Sequence, residues 1–315
     1  MSAHPGLIKK MRDSLKDFEK IKWPLKNVLY TPVFSTKKTS EAIKDLKDND
    51  GSKIMFDSGG FFVQQGKITT QELFSKLTDF YSQNEWGDYY VLPDSPPVNG
   101  DSDLIVEYKV RDTITNAKIF HDQLKENIQK KCIPVVQGHN KEQIFRCVRE
   151  YSDLNVSRIG FGSFGTCGSN NGINFLTSKS MENVEYMMNL LKDYSLEVHA
   201  FGVGGTSSLS KLCEAGFTSF DSAGWKRAAA YGDVLFPFHS THNITHRSSE
   251  KSCSILSRNN FEKVKTESNH ACYFCEDFNK LQSQVYYRYL HNMIAIFDTV
   301  EFLKKYPISS HNDIP

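Results

Sequence analysis

Lys53-Ile54-Met55-Phe56-Asp57-Ser58-Gly59-Gly60-Phe61-Phe62 is the stretch from which the rest of the chain can be read. Ile54, Met55 and Phe56 form the short apolar run expected of a strand buried on both faces, which points to a parallel sheet. Asp57 then stands at the carboxyl end of that strand, and Gly59-Gly60 permits a sharp turn and the close approach of a flat ligand. Two readings of the acid stay open. It is either a reactive carboxylate or a cap for the helix that begins near Thr69, with the glycines serving only the turn.

Outward from this strand the chain alternates. Residues 27–34 read as a strand with Pro32 near its end, 39–48 as a helix, 70–84 as a helix with Leu73, Phe74, Leu77, Phe80 and Tyr81 at helical spacing, and 89–92 as a strand running into Pro93-Asp94. The rhythm continues with a helix over 113–130, a strand at 133–138, a helix at 141–151 and a strand at 158–163. A helix over 181–194, a strand at 197–203, a helix at 208–215 and a strand at 219–224 follow. An eighth strand is sought near Val234-Leu235-Phe236. Repeated units of this length, with no dinucleotide-type glycine fingerprint in the first turns, predict an α/β fold of the (β/α)8 TIM barrel type. The predicted organisation is an N-terminal basic segment over 1–26 with a short helix at 15–21, the main part of the barrel over 27–238, and a region over 239–315. That last region combines a polar insertion, a zinc-binding subdomain and a helix over 281–304.

The 315 residues, 39% hydrophobic and 24% charged, are enough for a large core, and the net charge of +1 leaves any polyanion site to a local patch. The N-terminus lacks the apolar run of a secretory signal and no stretch reaches membrane-spanning length, so a cytoplasmic protein without a membrane partner is expected. Seven cysteines, an odd number and mostly scattered, suit reduced thiols.

In a parallel barrel the strand ends converge on one face. Asp57, Asp94, Gln137, Ser163 and Asp221 all fall at such ends, with Gly138, Gly160, Gly162, Gly204 and Gly205 keeping the neighbouring backbone open. Carboxylates, an amide and glycine walls suit a flat, hydrogen-bonding base. Asp94, inside Leu92-Pro93-Asp94-Ser95-Pro96-Pro97, can equally be an acid in a proline turn. Near the C-terminus, His270-Ala271-Cys272-Tyr273-Phe274-Cys275 and His291 offer two thiolates and two imidazoles, the ligand types of a closed structural Zn2+ site. Core cysteines with unrelated histidines are the alternative, and Cys253 rivals His270 as the fourth ligand. A second histidine cluster, His239, His242 and His246, reads as an exposed polar loop or a phosphate contact.

Phe56-Asp57-Ser58-Gly59-Gly60-Phe61 resembles the signature of the tRNA-guanine transglycosylases, and further stretches resemble that family in order over roughly residues 50–300. Val135-Val136-Gln137-Gly138 is similar to its base-binding strand, Ile159-Gly160-Phe161-Gly162-Ser163-Phe164-Gly165 to its glycine-rich wall, and Phe201-Gly202-Val203-Gly204 to the strand before the nucleophile, with Phe220-Asp221 in the nucleophile's place. The resemblance implies an exchange of guanine for a 7-deazaguanine base through a covalent bond from Asp221 to the sugar. It implies a proton-handling role for Asp57 and base recognition by Asp94, Gln137, Gly162 and Ser163. Lys226 and Arg227 would hold a phosphate of the nucleic acid, and Phe61 or Phe62 would stack on an unstacked base. The zinc site resembles the family's three cysteines and one histidine, with His270 where the first cysteine stands. Thr166, where queuosine-pathway enzymes carry a glutamate, suits a neutral, preQ0-like base. The chain's end at Pro315 and its loops over 94–112 and 225–270 make it most similar to the DpdA-type DNA-guanine transglycosylases of phage and bacteria. DNA is therefore the expected polymer in a bacterial or phage-infected cell, and tRNA the alternative. A catalytically silent nucleic-acid-binding subunit is the reading from another class. Homodimerisation is left open.

Overall fold

The protein is described by a computed structural model over residues 5–15, 23–164, 176–245 and 255–306. Thr166, His246, Cys253 and residues 16–21 of the expected basic helix lie outside the described residues. The chain forms two compact units. The first comprises Lys26–Val203 and Ala215–Asp221; the second comprises His4–Leu25, Gly204–Glu214 and the chain from Ser222 onward. Helix α1 (Pro5–Leu15), in the second unit, is the first element of the chain.

The first unit is an α/β body with parallel sheets. Strand β1 (Asn27–Tyr30) leads through α2 (Lys37–Asp50) to β2 (Lys53–Phe56), and a short α3 (Gly60–Gln64) and α4 (Thr70–Gln83) lead to β3 (Tyr89–Val91). Next come α5 (Asp103–Gln123), α6 (Glu126–Gln129), β4 (Cys132–Ile133), β5 (Val135–Val136), α7 (Lys141–Tyr151), β6 (Arg158–Phe161), α8 (Ser178–Leu190), β7 (Glu197–Ala200) and β8 (Ser219–Phe220). The strands pair in chain order, β1-β2-β3-β4 and β5-β6-β7-β8, every pair parallel. Only Pro134 separates β4 from β5. Having no N–H, it breaks the ladder there, yet its carbonyl accepts from Gly160 N at 2.9 Å while Ile133 O accepts from Leu92 N at 3.0 Å, so the two short strands act as one between β3 and β6.

Local chemistry fixes the crossovers. Thr36 caps α2 by accepting from Thr39 N, and Gly51, at φ 67°, closes the helix with its N–H on Leu46 O. Thr69 and Glu72 form a capping box on α4. Met55, Val91, Ile133 and Val135, from successive strands, form one buried cluster, against which Leu29 at one end of the strand order and Phe201 just beyond β7 both pack. On the opposite side of β2, Phe56 meets Phe80, Trp86 and Tyr90 edge-on at 5.1, 4.7 and 5.3 Å, and Tyr81 Oη donates to Val91 O at 2.9 Å. A fully buried apolar side chain such as Phe56 or Val91 contributes about 1.5–3 kcal/mol relative to exposure.

Three sequence expectations need correction. The helix expected at 113–130 begins ten residues earlier, capped by Ser102, whose side chain accepts from Ile105 N, and ends at Gln123, with α6 a separate turn. The glycine turn is followed at once by α3, whose N-cap is Gly59 at φ 79°. The strand sought near Val234–Phe236 is β9 (Asp233–Val234), and its ladder among the described residues is antiparallel, to β10 (His242–Asn243). No closing pair between β8 and β1 occurs among the described residues.

The second unit holds α1, α9 (Leu209–Glu214), α10 (Gly224–Ala230), β9, β10, α11 (Arg258–Glu267), a 3-10 turn at Tyr273–Glu276, α12 (Phe278–Ser283) and α13 (Val285–Lys305). The helix expected over 281–304 is thus divided at Gln284. Side chains of α13 pin the irregular segment before it. The fully buried Arg288 donates from Nε to Ala229 O at 2.8 Å and from Nη1 to Leu281 O at 2.6 Å, and Asn292 accepts from Leu235 N at 2.9 Å while donating to Trp225 O and Asp233 O. Buried backbone groups need such partners because leaving one unpaired costs about 1–3 kcal/mol. Among the described residues no helix is long and apolar enough to cross a membrane.

Candidate functional site: linked carboxylates and a buried His/Cys group

The ends of β2, β3, β5, β6 and β8 deliver a linked polar group within the first unit. Asp57 follows β2, and its Oδ2 accepts from Thr31 Oγ1 at 2.7 Å. It does not cap α4, a task done by Thr69. Burial pushes the Asp57 carboxyl above its ordinary value against the Thr31 hydrogen bond, and the Asp221 carboxylate nearby adds to the rise.

Asp94, after β3, accepts from Ser58 Oγ at 2.9 Å on Oδ1 and from Gln137 Nε2 at 2.8 Å on Oδ2. Its loop is held to α5 by Ser95, which donates from its backbone N to Thr113 Oγ1 and from Oγ to Asp112 Oδ2. Burial outweighs the two side-chain donors, with Asp57 also contributing, and raises the Asp94 carboxyl to about 6. Gln137 continues the chain of bonds: its Oε1 accepts from Ser163 Oγ at 2.7 Å, and Ser163 Oγ accepts from Gly138 N at 2.8 Å. Gln137 and Ser163 are both buried.

The glycines of the motif acquire a purpose that differs from the sequence expectation. A Cβ on Gly60 would lie 2.5 Å from Asp94 Oδ1, so the close approach that Gly60 permits is that of Asp94 itself. At Gly162 a Cβ would collide with the Gln137 amide, which therefore sits close against the backbone just beyond β6.

Asp221, after β8, accepts on Oδ1 from Gly202 N at 2.9 Å and meets His199 Nε2 at 3.4 Å. The structure therefore joins Asp57, Asp94, Gln137 and Ser163 with Asp221 by hydrogen bonds or by charge, and Gly162 adjoins the group through the Gln137 amide packed against it. Sequence reasoning passed over Thr31, Ser58 and His199. Ser58 had a signal, being part of the quoted motif, whereas His199 looked like one more residue in an alternating strand. Phe62 packs on Phe34 with centroids 4.5 Å apart, and Phe61 and Phe34 remain 40% and 51% exposed.

Lys226 and Arg227 lie on α10, half-buried, in the second unit. His242 is in β10 and half-buried, with an unpartnered Nε2, so that part of the histidine cluster is not an exposed loop.

In the second unit, His270, Cys272, Cys275 and His291 are all buried, and their donor atoms lie within 4.8 Å of one another. Cys272 Sγ is 3.3 Å from Cys275 Sγ, and the two sulfurs are 3.5 and 3.4 Å from His291 Nδ1. Donors held tetrahedrally at about 2.0–2.3 Å from one ion lie about 3.3–3.8 Å apart. The outer nitrogens are already used: His291 Nε2 bonds Leu235 O at 3.0 Å, and His270 Nδ1 bonds Asp298 Oδ2 at 2.9 Å, leaving His270 Nε2 buried without a hydrogen-bond partner. Partners of this kind orient metal-ligating imidazoles. Without a cation, the adjacent Cys272 thiol and burial push Cys275 up, toward the protonated form. The donor set fits a metal ion, and His270 stands in it.

No protein-family model matches the chain, and no curated protein matches it.

Proposed function

We propose that this chain is a base-exchange glycosyltransferase of the tRNA-guanine transglycosylase kind, replacing guanine in DNA by a 7-deazaguanine. The observation that carries the reading is the delivery of Asp57, Asp94, Gln137 and Asp221 to the ends of parallel strands scattered through the sequence, with Asp94, Gln137 and Ser163 joined by hydrogen bonds. Packing of Leu29 and Phe201 on one central cluster supports a sheet curled into a (β/α)8 barrel, although the strand that would complete it is not among the ladders described.

In this reading an Asp221 oxygen attacks the sugar carbon bearing guanine. A C–O bond forms, the C–N bond breaks, and its electron pair leaves with the base, neutralised by a proton from Asp57. The incoming 7-deazaguanine gives its ring N–H proton to the Asp57 carboxylate, and its nitrogen displaces Asp221 from the sugar. A carboxyl raised by burial holds its proton more readily than a free one, which suits such proton exchange. Asp94, with lone pairs left beyond those used by Ser58 and Gln137, accepts from the base's ring and exocyclic N–H groups. Gln137 both donates to Asp94 and reads the base's carbonyl edge with its second amide hydrogen, and Ser163 holds it in place. On duplex DNA the base must first be unstacked, and Phe61 or Phe34 supplies the stacking face.

The second unit carries 18 Lys and Arg against 13 Asp and Glu, and the first 20 against 24, out of 38 and 37 in the chain, an imbalance that suits backbone contact by the second unit, with Lys226 and Arg227 as phosphate ligands. His270, Cys272, Cys275 and His291 would hold a structural Zn2+, with no position left for a reactant.

Incubation with DNA and with tRNA carrying labelled guanine, plus a 7-deazaguanine base, followed by nucleoside analysis, is the test. Label released from DNA is the expected result. Release from tRNA alone would replace the polymer, and release from neither, with binding retained, would leave a silent nucleic-acid-binding subunit.

A further inference from the structure

We propose that His199 is the positioning residue for Asp221, acting through a Ser219–His199–Asp221 relay that holds one carboxylate oxygen and presents the other. The proposal rests on the transglycosylase reading of Asp221 for its kinetic consequence, but its geometry stands apart from that reading.

His199 is the third residue of β7, paired in register with Gly160 on β6 and Ser219 on β8, and it is only 3% exposed. Its ring lies against Phe201, with centroids 4.5 Å apart. Nδ1 lies 2.8 Å from Ser219 Oγ, and Nε2 lies 3.4 Å from Asp221 Oδ1. These two contacts determine the tautomer. If Ser219 donates its hydroxyl proton to Nδ1, then Nε2 carries the hydrogen and points a donor at the carboxylate; the opposite tautomer would set a lone pair against an anion. Ser219 therefore orients the imidazole, and the imidazole orients Asp221.

Both donors to the carboxylate, Gly202 N–H and His199 Nε2–H, address Oδ1. That leaves Oδ2 as the oxygen for attack. When Oδ2 bonds to the sugar, Oδ1 becomes an ester carbonyl, a weaker acceptor. When the incoming base displaces the aspartate, the negative charge returns to a carboxylate that already has its two donors in place. The relay thus favours departure of Asp221 more than its attack, while fixing the geometry of both. An apolar residue would fill the same space with no buried nitrogens to satisfy, so packing alone does not call for histidine here.

The test uses the full-length protein with His199→Phe, which keeps an aromatic ring, and His199→Gln, which restores a side-chain N–H. His199→Phe should lower turnover about ten- to hundredfold with little change in KM for the nucleic acid. At the same time the fraction of protein trapped as the glycosyl ester should rise, and His199→Gln should recover much of the rate. A folded His199→Phe protein with turnover within twofold of wild type, or with a lower trapped fraction, overturns the proposal. The independent arm is 15N NMR of the His199 imidazole, expected to show hydrogen on Nε2 and to respond to both Asp221→Asn and Ser219→Ala. An imidazole that responds to neither sinks the relay whatever the activity. A responsive imidazole in a protein that exchanges guanine in no polymer sinks the transglycosylase reading and leaves the relay standing.

Discussion

The linked carboxylates of the first unit and the His/Cys group of the second are both polar clusters inside the protein, yet they close in opposite ways. Thr31, Ser58, Gln137, Gly202 and His199 supply donors to the acids, so the first cluster satisfies itself with the chain's own hydrogens. In the second, the outer nitrogens are bonded to Leu235 and Asp298 while the inner sulfurs and nitrogens face one another. A self-satisfied cluster needs no further partner, whereas inward-facing donors of this kind fit a cation.

Replacing the attacking group should break the first cluster's function most severely. In the proposed exchange, Asp221→Asn keeps the shape but removes the attacking carboxylate, and base release should fall by about 10⁴-fold or more while nucleic-acid binding persists. If the adduct still forms, Asp221 is not the nucleophile. In the second cluster, Cys272→Ala should release about one equivalent of bound Zn2+ and lower stability by several kcal/mol. Metal analysis and thermal unfolding read this out, and an unchanged melting curve after chelation would show that the donors need no ion. Asp57→Asn should slow turnover by about 10²–10⁴-fold, yet let the covalent complex accumulate, since Asp221 can still attack. Complete loss of trapping in that variant would reverse the two roles.

The smallest effect sharpens the electrostatics of the first cluster. Asp94 is raised to about 6 from 3.8, so the folded protein binds its proton more tightly than the unfolded chain does. Its stabilising contribution is complete below about pH 4 and is lost as pH rises through 6, a decline of up to about 3 kcal/mol. Denaturant unfolding from pH 4 to 7 should show this slope, and Asp94→Asn should flatten it. An equal slope in the variant would assign the titration elsewhere.

The sequence made the parallel strands legible because Ile54-Met55-Phe56 and Val135-Val136 sit in short apolar runs set off by turn residues, while Val198 belongs to an alternating strand. It made Asp57, Asp94 and Asp221 legible because each follows the end of a strand. Helix α5 was misjudged at its start because Leu104, Ile105 and Tyr108 are 80%, 46% and 70% exposed, which blurs the apolar stripe there; the Ser102 cap followed by Asp103 was the better signal. The contact between Gly60 and Asp94 joins residues 34 apart and the Ser58–Asp94 hydrogen bond residues 36 apart, and no local pattern encodes either. His199 stayed hidden for a similar reason. Its partners lie on the next strand, and only register brings them together.

The in-order pairing of β1 through β8 has a consequence for synthesis on the ribosome. Each new strand meets one already made, so the first unit can be laid down progressively as the chain emerges. At about 5–20 residues per second, the roughly 160 residues between Asp57 and Asp221 take on the order of ten to thirty seconds to appear. Asp57 does not wait alone through that interval, because Thr31 is translated before it, and Asp94 finds Ser58 already in place. The residue assigned the attack is delivered last, after its donors at 199 and 202, so the nascent chain carries a prepared cradle before it carries a nucleophile.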